Sequence, residues 1–345
     1  MVQCATGNRA SAVLALLVGE GAGWEPAAVF EWAAREKLPF LGTQPLRSWV
    51  AFSLRALRGG GGGGGGGGSG AGAAAAPAAL GGLLFRQLFD RESSTFTYLL
   101  GDPASGEAVL VDPVIECAER DLTVARELGL RLVLALNTHV HADHGSAASR
   151  LRGLVPGLRS AVAAASGALA DVCLAPNQVV PFGGRHLRAL ATPGHTAGCM
   201  SFLLDDGSAV FTGDALLVRG CGRTDFQGGS APQLFDSVRG ALFSLPRDTI
   251  VFPGHDYNGH ARSTIGEEAD LNPRLGVGRS AEEFAGVMAA LGLPRPALID
   301  VAVPANLRDG ILAGAPPGAG IVPPGACVPC RQDGDSGEPP APIVW

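Results

Sequence analysis

Short apolar runs separated by glycine, proline and charged residues extend from about Leu83 to about Gly310. Runs of this length that are rich in aromatic and branched aliphatic residues predict β-strands. The predicted strands are Leu84–Phe89, Thr95–Leu100, Ala108–Asp112, Arg131–Asn137, His186–Ala191, Cys199–Leu204, Ser208–Thr212 and Thr249–Phe252.

Longer segments between these strands predict helices. The first runs from about Cys117 to Leu128 and is closed by Gly129, because glycine is favoured just past a helix end. A second ends near Leu154, and two more are predicted at Ala231–Phe243 and Ala281–Leu291. Strands that form a meander first and then alternate with helices indicate an α/β fold, with packed sheets between helical layers.

The chain before this domain has a different composition. Gly59–Gly68 is an unbroken polyglycine run, which acts as a flexible linker because it has no side chains to pack. No acidic residue occurs from Lys37 to Gln87, and the three arginines of Pro45–Arg58 share one side of a helical wheel. This character is similar to that of a mitochondrial transit peptide, although four glutamates precede it. We expect residues 1–82 to be an atypical, disordered N-terminal region.

Composition narrows the classes of function. The net charge is -6 with no long basic run, which argues against nucleic acid as a partner. No apolar stretch has the length that crosses a bilayer. Seven scattered cysteines argue against a disulfide framework and favour a reducing compartment. We expect one folded domain, 83–310, and a disordered Pro/Gly-rich tail, 311–345, in which Cys327 and Cys330 are inert because no second pair completes a zinc site.

The most informative motif is His139-x-His141-x-Asp143-His144, directly after the apolar run Leu132–Leu136. A buried strand can hold such a loop rigid. Three imidazoles and a carboxylate would titrate unpredictably if they were simply buried, whereas a divalent cation satisfies all of them together. The spacing therefore predicts a metal site.

Three further segments place a ligand-type residue beside a glycine where a predicted strand ends, and they supply His195, Asp214 and His255. Glycine permits the close turn that brings such residues to one site. Four segments of this kind in this order resemble the metallo-β-lactamase superfamily, which implies an αββα sandwich. In its two-metal members one ion would be held by His139, His141 and His195, the other by Asp143, His144 and His255, with Asp214 bridging.

The rest of the domain resembles one branch of that superfamily. The most specific segment is Arg219-Gly220-Cys221-Gly222-Arg223-Thr224-Asp225-Phe226. The other segments are Thr95–Asp102, Val111–Val114, His255–Tyr257, Leu271–Leu275 and Val303–Asn306. Together they are similar to the persulfide dioxygenases of mitochondrial sulfide oxidation, the ethylmalonic encephalopathy protein family, over the whole of about 83–310.

This resemblance implies a different use of the same residues. One Fe(II) would be held by the catalytic residues His139, His195 and Asp214, a facial triad that leaves positions open for substrate and O2. The remaining four would form hydrogen bonds around these ligands and fix their orientation. They are His141, Asp143, His144 and His255.

The resemblance also implies the substrate, glutathione persulfide, which O2 and water convert to sulfite and glutathione in the mitochondrial matrix. Arg223 and Tyr257 would bind the carboxylates of the peptide, although Arg223 has an alternative as a salt bridge with Asp225. Cys221 is interpreted either as a small bystander or as an oxidisable thiol. No nucleic acid or membrane partner is expected, and a homodimer is the assembly considered.

Two other hypotheses remain open. A glyoxalase II type thioesterase would use two metals to attack a glutathione thioester, but that family has a longer helical C-terminal domain. Here the sequence predicts only one helix, Ala281–Leu291, between Asn272 and Gly310. A degenerate fold kept as a binding partner is disfavoured because every ligand-type residue is retained.

Overall fold

The computed structural model describes residues 80–312 and, before them, only the isolated positions 28 and 34. Residues 80–312 lie in the second of two compact units, Ala75–Trp345. The polyglycine linker, the transit-peptide-like segment and the pair Cys327 and Cys330 lie outside the described residues. The expected disorder up to residue 82 is wrong for its last three positions, because Leu80–Gly82 form a turn of 3-10 helix.

The described residues form two six-stranded sheets. The first sheet follows chain order: β1 (Leu84–Phe89), β2 (Phe96–Gly101), β3 (Glu107–Val111), β4 (Arg131–Leu136), β5 (Arg159–Ala163) and β6 (Val172–Leu174). Its first three strands pair antiparallel, and β3 to β6 pair parallel.

The second sheet runs in chain order from its opposite edge: β7 (Val179–Phe182), β8 (Arg185–Ala191), β9 (Met200–Leu204), β10 (Ala209–Gly213), β11 (Ile250–Pro253) and β12 (Ser263–Thr264). Only β10 and β11 pair parallel in this sheet. The parallel pairs of both sheets end at loops that carry the ligand-type residues.

Six α-helices accompany these strands in the described part of the chain: α1 (Ala118–Glu127), α2 (Ala148–Leu154), α3 (Ala231–Ser237), α4 (Ile265–Leu271), α5 (Ala281–Ala289) and α6 (Ile299–Asn306). The predicted helix Ala231–Phe243 is present, but it is α-helical only over α3 and continues as a π-helical turn, Val238–Leu242. Gly129 ends α1 with a φ of 69°, as the stop signal predicts.

Alternation along the strands explains the layers. In β2, Tyr98 and Leu100 pack into a central core between the sheets, whereas Leu99 joins an outer core with α1 and α2. In β10, Phe211 enters the central core and Val210 packs beneath α3 and α5. Because successive side chains of a strand point to opposite faces, each sheet is buried on both sides. The expected αββα sandwich is confirmed.

The C-terminal part differs from the sequence expectation. The helix α6, which was not predicted, follows α5. The expectation of a single helix between Asn272 and Gly310 is therefore wrong. Pro304 lies inside α6 and argues against a helix from sequence, because proline has no N–H for the helical hydrogen bond. The short strands β5, β6, β7 and β12 were also missed, since runs of two to five residues give little periodic signal.

The cysteines also depart in part from expectation. Cys117, Cys199 and Cys221 are buried free thiols, whereas Cys173 in β6 is disulfide-bonded. Among the residues that the structure describes, no helix has both the length and the apolar character of a membrane span.

Candidate metal centre

Four loops at one edge of the sandwich bring the ligand-type residues together. The His-rich loop follows β4, His195 follows β8, Asp214 follows β10 and His255 follows β11. The ligand atoms of His139, His195 and Asp214 lie within 4.8 Å of one another, and those of His141, Asp143 and His144 form a second such group. All seven predicted residues are therefore neighbours, in two adjacent groups.

Asp112 fixes the start of the His-rich loop. Its carboxylate accepts hydrogen bonds from Thr138 N at 2.7 Å and from Thr138 Oγ1 at 2.8 Å. Because the Thr138 hydroxyl donates to Asp112, it accepts from His139 Nδ1 at 2.9 Å. His139 therefore carries its proton on Nδ1, and Nε2 keeps its lone pair. Burial and the neighbouring imidazole of His141 lower the pKa of His139, so the ring is neutral, as a metal ligand must be.

His195 is oriented by the backbone of a neighbouring loop. Its Nδ1 donates to the carbonyl oxygen of Arg223 at 2.6 Å, which leaves Nε2 free and 3.7 Å from Asp214 Oδ2. Only glycine fits at Gly222, since a Cβ there would lie 2.7 Å from His195 Nδ1 and 2.8 Å from the Asp214 carbonyl oxygen. Gly222, which follows Cys221, thus permits the close approach of this loop to His195 and Asp214.

His255 is saturated by two carboxylates. Its Nδ1 donates to Asp214 Oδ1 at 2.7 Å and its Nε2 donates to Asp143 Oδ2 at 2.9 Å. Burial opposes charge on this ring, but Asp214 and Asp143 outweigh it and raise the pKa of His255 well above its ordinary value. The pKa of Asp214 is lowered despite its burial, chiefly by His255. His255 therefore holds one oxygen of Asp214 and one of Asp143.

The second group has both hydrogen-bonded and unpartnered ring nitrogens. His144 Nδ1 lies 3.0 Å from Asp143 Oδ2, and His141 Nε2 lies 3.1 Å from Asp112 Oδ1. The opposite nitrogens, His141 Nδ1 and His144 Nε2, are buried without a hydrogen-bond partner among the described residues. The structure therefore offers two candidate donor groups, and a single metal at His139, His195 and Asp214 stays a prediction.

Asn306 holds the His-rich loop from outside and was not predicted as a site residue. Its Nδ2 donates to the carbonyl oxygens of His141 and His144, both at 2.9 Å, and its Oδ1 accepts from Ser146 N at 2.8 Å. The side chain is 7% exposed. It lies in the segment Val303–Asn306, one of those that carry the family resemblance, but no local pattern there predicts these contacts.

A cavity of about 520 Å³ opens beside the three ligands. Tyr257 lines it with 66% of its surface exposed, and its ring stacks on His255 with centroids 5.8 Å apart. Arg223 also lines it, but its guanidinium makes a two-pronged ion pair with Asp225, at 2.6 and 2.7 Å, and donates to two backbone carbonyls. The geometry of Arg223 therefore matches the salt-bridge alternative, and substrate binding by it stays a prediction.

Arg274 is a cavity residue that sequence reasoning missed. Its Nη1 donates to the Cys221 carbonyl oxygen at 3.0 Å, and it pairs with no carboxylate of residues 80–312. The only signal in the sequence was its place in the marked segment Leu271–Leu275. Cys221 itself is buried, and burial raises the pKa of its thiol to about 11, so it stays protonated at neutral pH. These facts favour the bystander interpretation of Cys221.

Comparison with known proteins agrees with this geometry. The family model of the metallo-beta-lactamase superfamily matches residues 90–255. The mitochondrial persulfide dioxygenase ETHE1 of Homo sapiens is 53% identical over 229 residues, which cover 66% of this chain and 89% of that protein. The crystal structure of ETHE1 from Myxococcus xanthus has a TM-score of 0.64 and 51% identity, and covers 66% of this chain and 99% of that one.

A hydrolase relative is matched less completely. The hydroxyacylglutathione hydrolase-like protein of Mus musculus is 37% identical over 172 residues, which cover 47% of this chain and 58% of that protein. The persulfide dioxygenase is thus matched over most of its length and the hydrolase-like protein over little more than half. The chain therefore belongs to the persulfide dioxygenase family of the metallo-β-lactamase superfamily, and it is an enzyme of the sulfur dioxygenase type.

Proposed function

We propose that this enzyme oxidises glutathione persulfide with O2 and water to sulfite and glutathione, with one Fe(II) per chain. The observation that carries the proposal is the set of three free ligand atoms, on His139, His195 and Asp214, at the wall of a substrate-sized cavity. Two histidines and one carboxylate form the ligand set of non-haem Fe(II) oxygenases.

The surrounding residues prepare this set. When bound, Fe(II) supplies the redox chemistry with O2 that amino-acid side chains lack. His255 holds Oδ1 of Asp214, so that Oδ2 faces His195. Asp143 accepts the second ring proton of His255 and keeps that ring charged. These hydrogen bonds fix the ligands before metal or substrate arrives, which is the role of partners around a metal site.

The cavity favours a peptide-like anionic persulfide. A volume of about 520 Å³ is within the range of small-molecule sites. Arg274 has donors available for a carboxylate, and the exposed hydroxyl of Tyr257 offers a further partner. In this proposal Arg274 is the first contact for a glutathione carboxylate. Arg223, already paired with Asp225, shapes the wall and completes the contact.

The proposal includes a location. Relatives that are more than half identical are labelled mitochondrial, and the acid-poor, arginine-bearing segment before the polyglycine run is consistent with import. We place the enzyme in the matrix, where it acts on its persulfide and O2 as a homodimer without nucleic acid or membrane partners. Fractionation of mitochondria would test the compartment, and sedimentation would test the dimer.

Anaerobic reconstitution of the full chain tests the reaction. We expect one iron per chain, O2 uptake with glutathione persulfide, and sulfite as product. The control substrate is an S-acyl glutathione, which should not be hydrolysed. Two metals per chain with thioester hydrolysis and no O2 uptake would contradict the proposal and support a glyoxalase II type activity.

Replacing Arg274 with glutamine tests the substrate contact. A hydrogen bond to a charged group contributes about 1.5–3 kcal/mol, so we expect KM for glutathione persulfide to rise by about 10- to 150-fold with kcat nearly unchanged. A persulfide without carboxylates should be oxidised equally by both proteins. Arg247→Gln, at an exposed ion pair with Asp270, is the control. An equal loss with both substrates would remove Arg274 from carboxylate recognition.

A further inference from the structure

The carbonyl that orients His195 belongs to a loop that contains a residue in a disfavoured backbone conformation. Leu217 and Gly220 close this loop, Leu217–Arg223, through mutual backbone hydrogen bonds at 3.0 and 3.1 Å. Within it Arg219 has a φ of 58°, in the left-handed region that disfavours residues with a side chain. Such a conformation costs on the order of 1 kcal/mol and persists only where other contacts hold it.

Those contacts come from α4 and the residue after it. Glu268 is fully buried and accepts from Arg219 N at 2.8 Å, from the Arg219 guanidinium, and from Ser263 Oγ at 2.6 Å. Asn272, 3% exposed, donates from Nδ2 to the Gly220 carbonyl oxygen at 3.0 Å and to Glu268 at 2.9 Å. We call Glu268 and Asn272 the α4 clamp.

The clamp connects to the metal ligands through the backbone. Gly222 N donates to the Asp214 carbonyl oxygen at 2.7 Å, and the next carbonyl, of Arg223, accepts from His195 Nδ1 at 2.6 Å. A shift of the loop would therefore change which nitrogen of His195 carries the proton, because the tautomer is fixed by this acceptor.

We infer that Glu268 and Asn272 are positioning residues for the metal ligand His195, since they hold the Leu217–Arg223 loop where the Arg223 carbonyl meets His195 Nδ1. The clamp gives a function to the marked segment Leu271–Leu275. The inference rests on the metal site of the proposed function and is independent of the substrate.

The test is Glu268→Gln, with Glu267→Gln as its matched control. Both changes replace a carboxylate that contacts Arg219 with an amide of the same shape. Glu267, however, is 49% exposed, contacts Arg219 only at the guanidinium and accepts from Ser263 Oγ at 3.3 Å. Loss of an outer hydrogen-bonding partner weakens metal binding by about 10- to 100-fold. We expect that rise in the Co(II) dissociation constant for Glu268→Gln and none for Glu267→Gln.

Nitrogen NMR of the metal-free protein supplies a second readout. For the neutral form of the His195 ring, the wild type and Glu267→Gln should show a single tautomer with the proton on Nδ1, whereas Glu268→Gln should show a mixture of tautomers. Asn272→Ser is a second variant in case Glu268→Gln fails to fold, because serine is too short to reach the Gly220 carbonyl. It should weaken Co(II) binding in the same way.

A lower melting temperature with unchanged Co(II) affinity and unchanged His195 tautomer would overturn the inference, because that result describes a stabilising residue only. Failure of the proposed function is separable from this outcome. If the wild type binds metal but consumes no O2 with glutathione persulfide, the proposed function is wrong. The Co(II) titrations would still decide the role of the α4 clamp.

Discussion

His195→Ala is expected to bind no iron and to show no O2 uptake with glutathione persulfide. His195 supplies one of three free ligand atoms, and the two that remain cannot hold a divalent cation against water. The affinity for the metal should fall by more than the factor of about 10 to 100 that follows from losing an outer hydrogen-bonding partner. Metal content after dialysis and O2 uptake measure the two effects.

His186→Ala is the control for this change. His186 lies in the same strand, β8, that leads to His195, but its side chain is 44% exposed and its nearest carboxylate is 4.0 Å away. It should retain one iron and full activity. Iron retained by His195→Ala at the wild-type level would show that the ligand set is misassigned.

Asp112→Ala is expected to lower the free energy of unfolding by about 3–5 kcal/mol, the cost of removing one member of a buried charged pair. Asp112 is 1% exposed and has three hydrogen bonds, with Thr138 N, Thr138 Oγ1 and His141 Nε2. Alanine would leave Thr138 N and His141 Nε2 buried without a partner and would remove the acceptor of the Thr138 hydroxyl proton. Its φ of 51° also disfavours alanine. Urea unfolding of the metal-free protein measures the change.

Two variants calibrate this result. Asp112→Asn keeps one acceptor oxygen and tolerates the left-handed conformation, so its loss should be smaller than that of alanine. Asp300→Ala removes an exposed ion pair with Arg295 and should cost less than about 1 kcal/mol. If Asp112→Ala cost no more than Asp300→Ala, the carboxylate would not be what fixes the His-rich loop.

The sequence was sufficient to predict the layers and the ligand types. Strands such as Arg131–Leu136 and Ala209–Gly213 are short apolar runs, and each is soon followed by a ligand-type residue, His139 or Asp214. Because strand ends of one sheet edge meet in space, residues that are far apart in the chain could be assigned to one site. The same local patterns placed α1 and its stop at Gly129.

The sequence could not predict which side chains pair with which. Arg223 and Arg274 are both arginines near the predicted iron, and only the structure shows that the first is paired with Asp225 and the second has no such partner among residues 80–312. Asn306 contacts loop residues more than 160 positions earlier. Such contacts depend on tertiary packing, and no local period in the sequence reports them.

The position of Asn306 has a consequence for biosynthesis. A ribosome makes every ligand residue, up to His255, before it makes α4, α5 and α6. The nascent chain therefore holds a full set of ligands on loops that Asn306 and the clamp have not yet fastened. A messenger RNA with a stop codon in α5 would yield a chain that has all seven ligand-type residues but lacks Asn306. Its His-rich loop would not be held in place, and we expect such a chain to bind iron weakly.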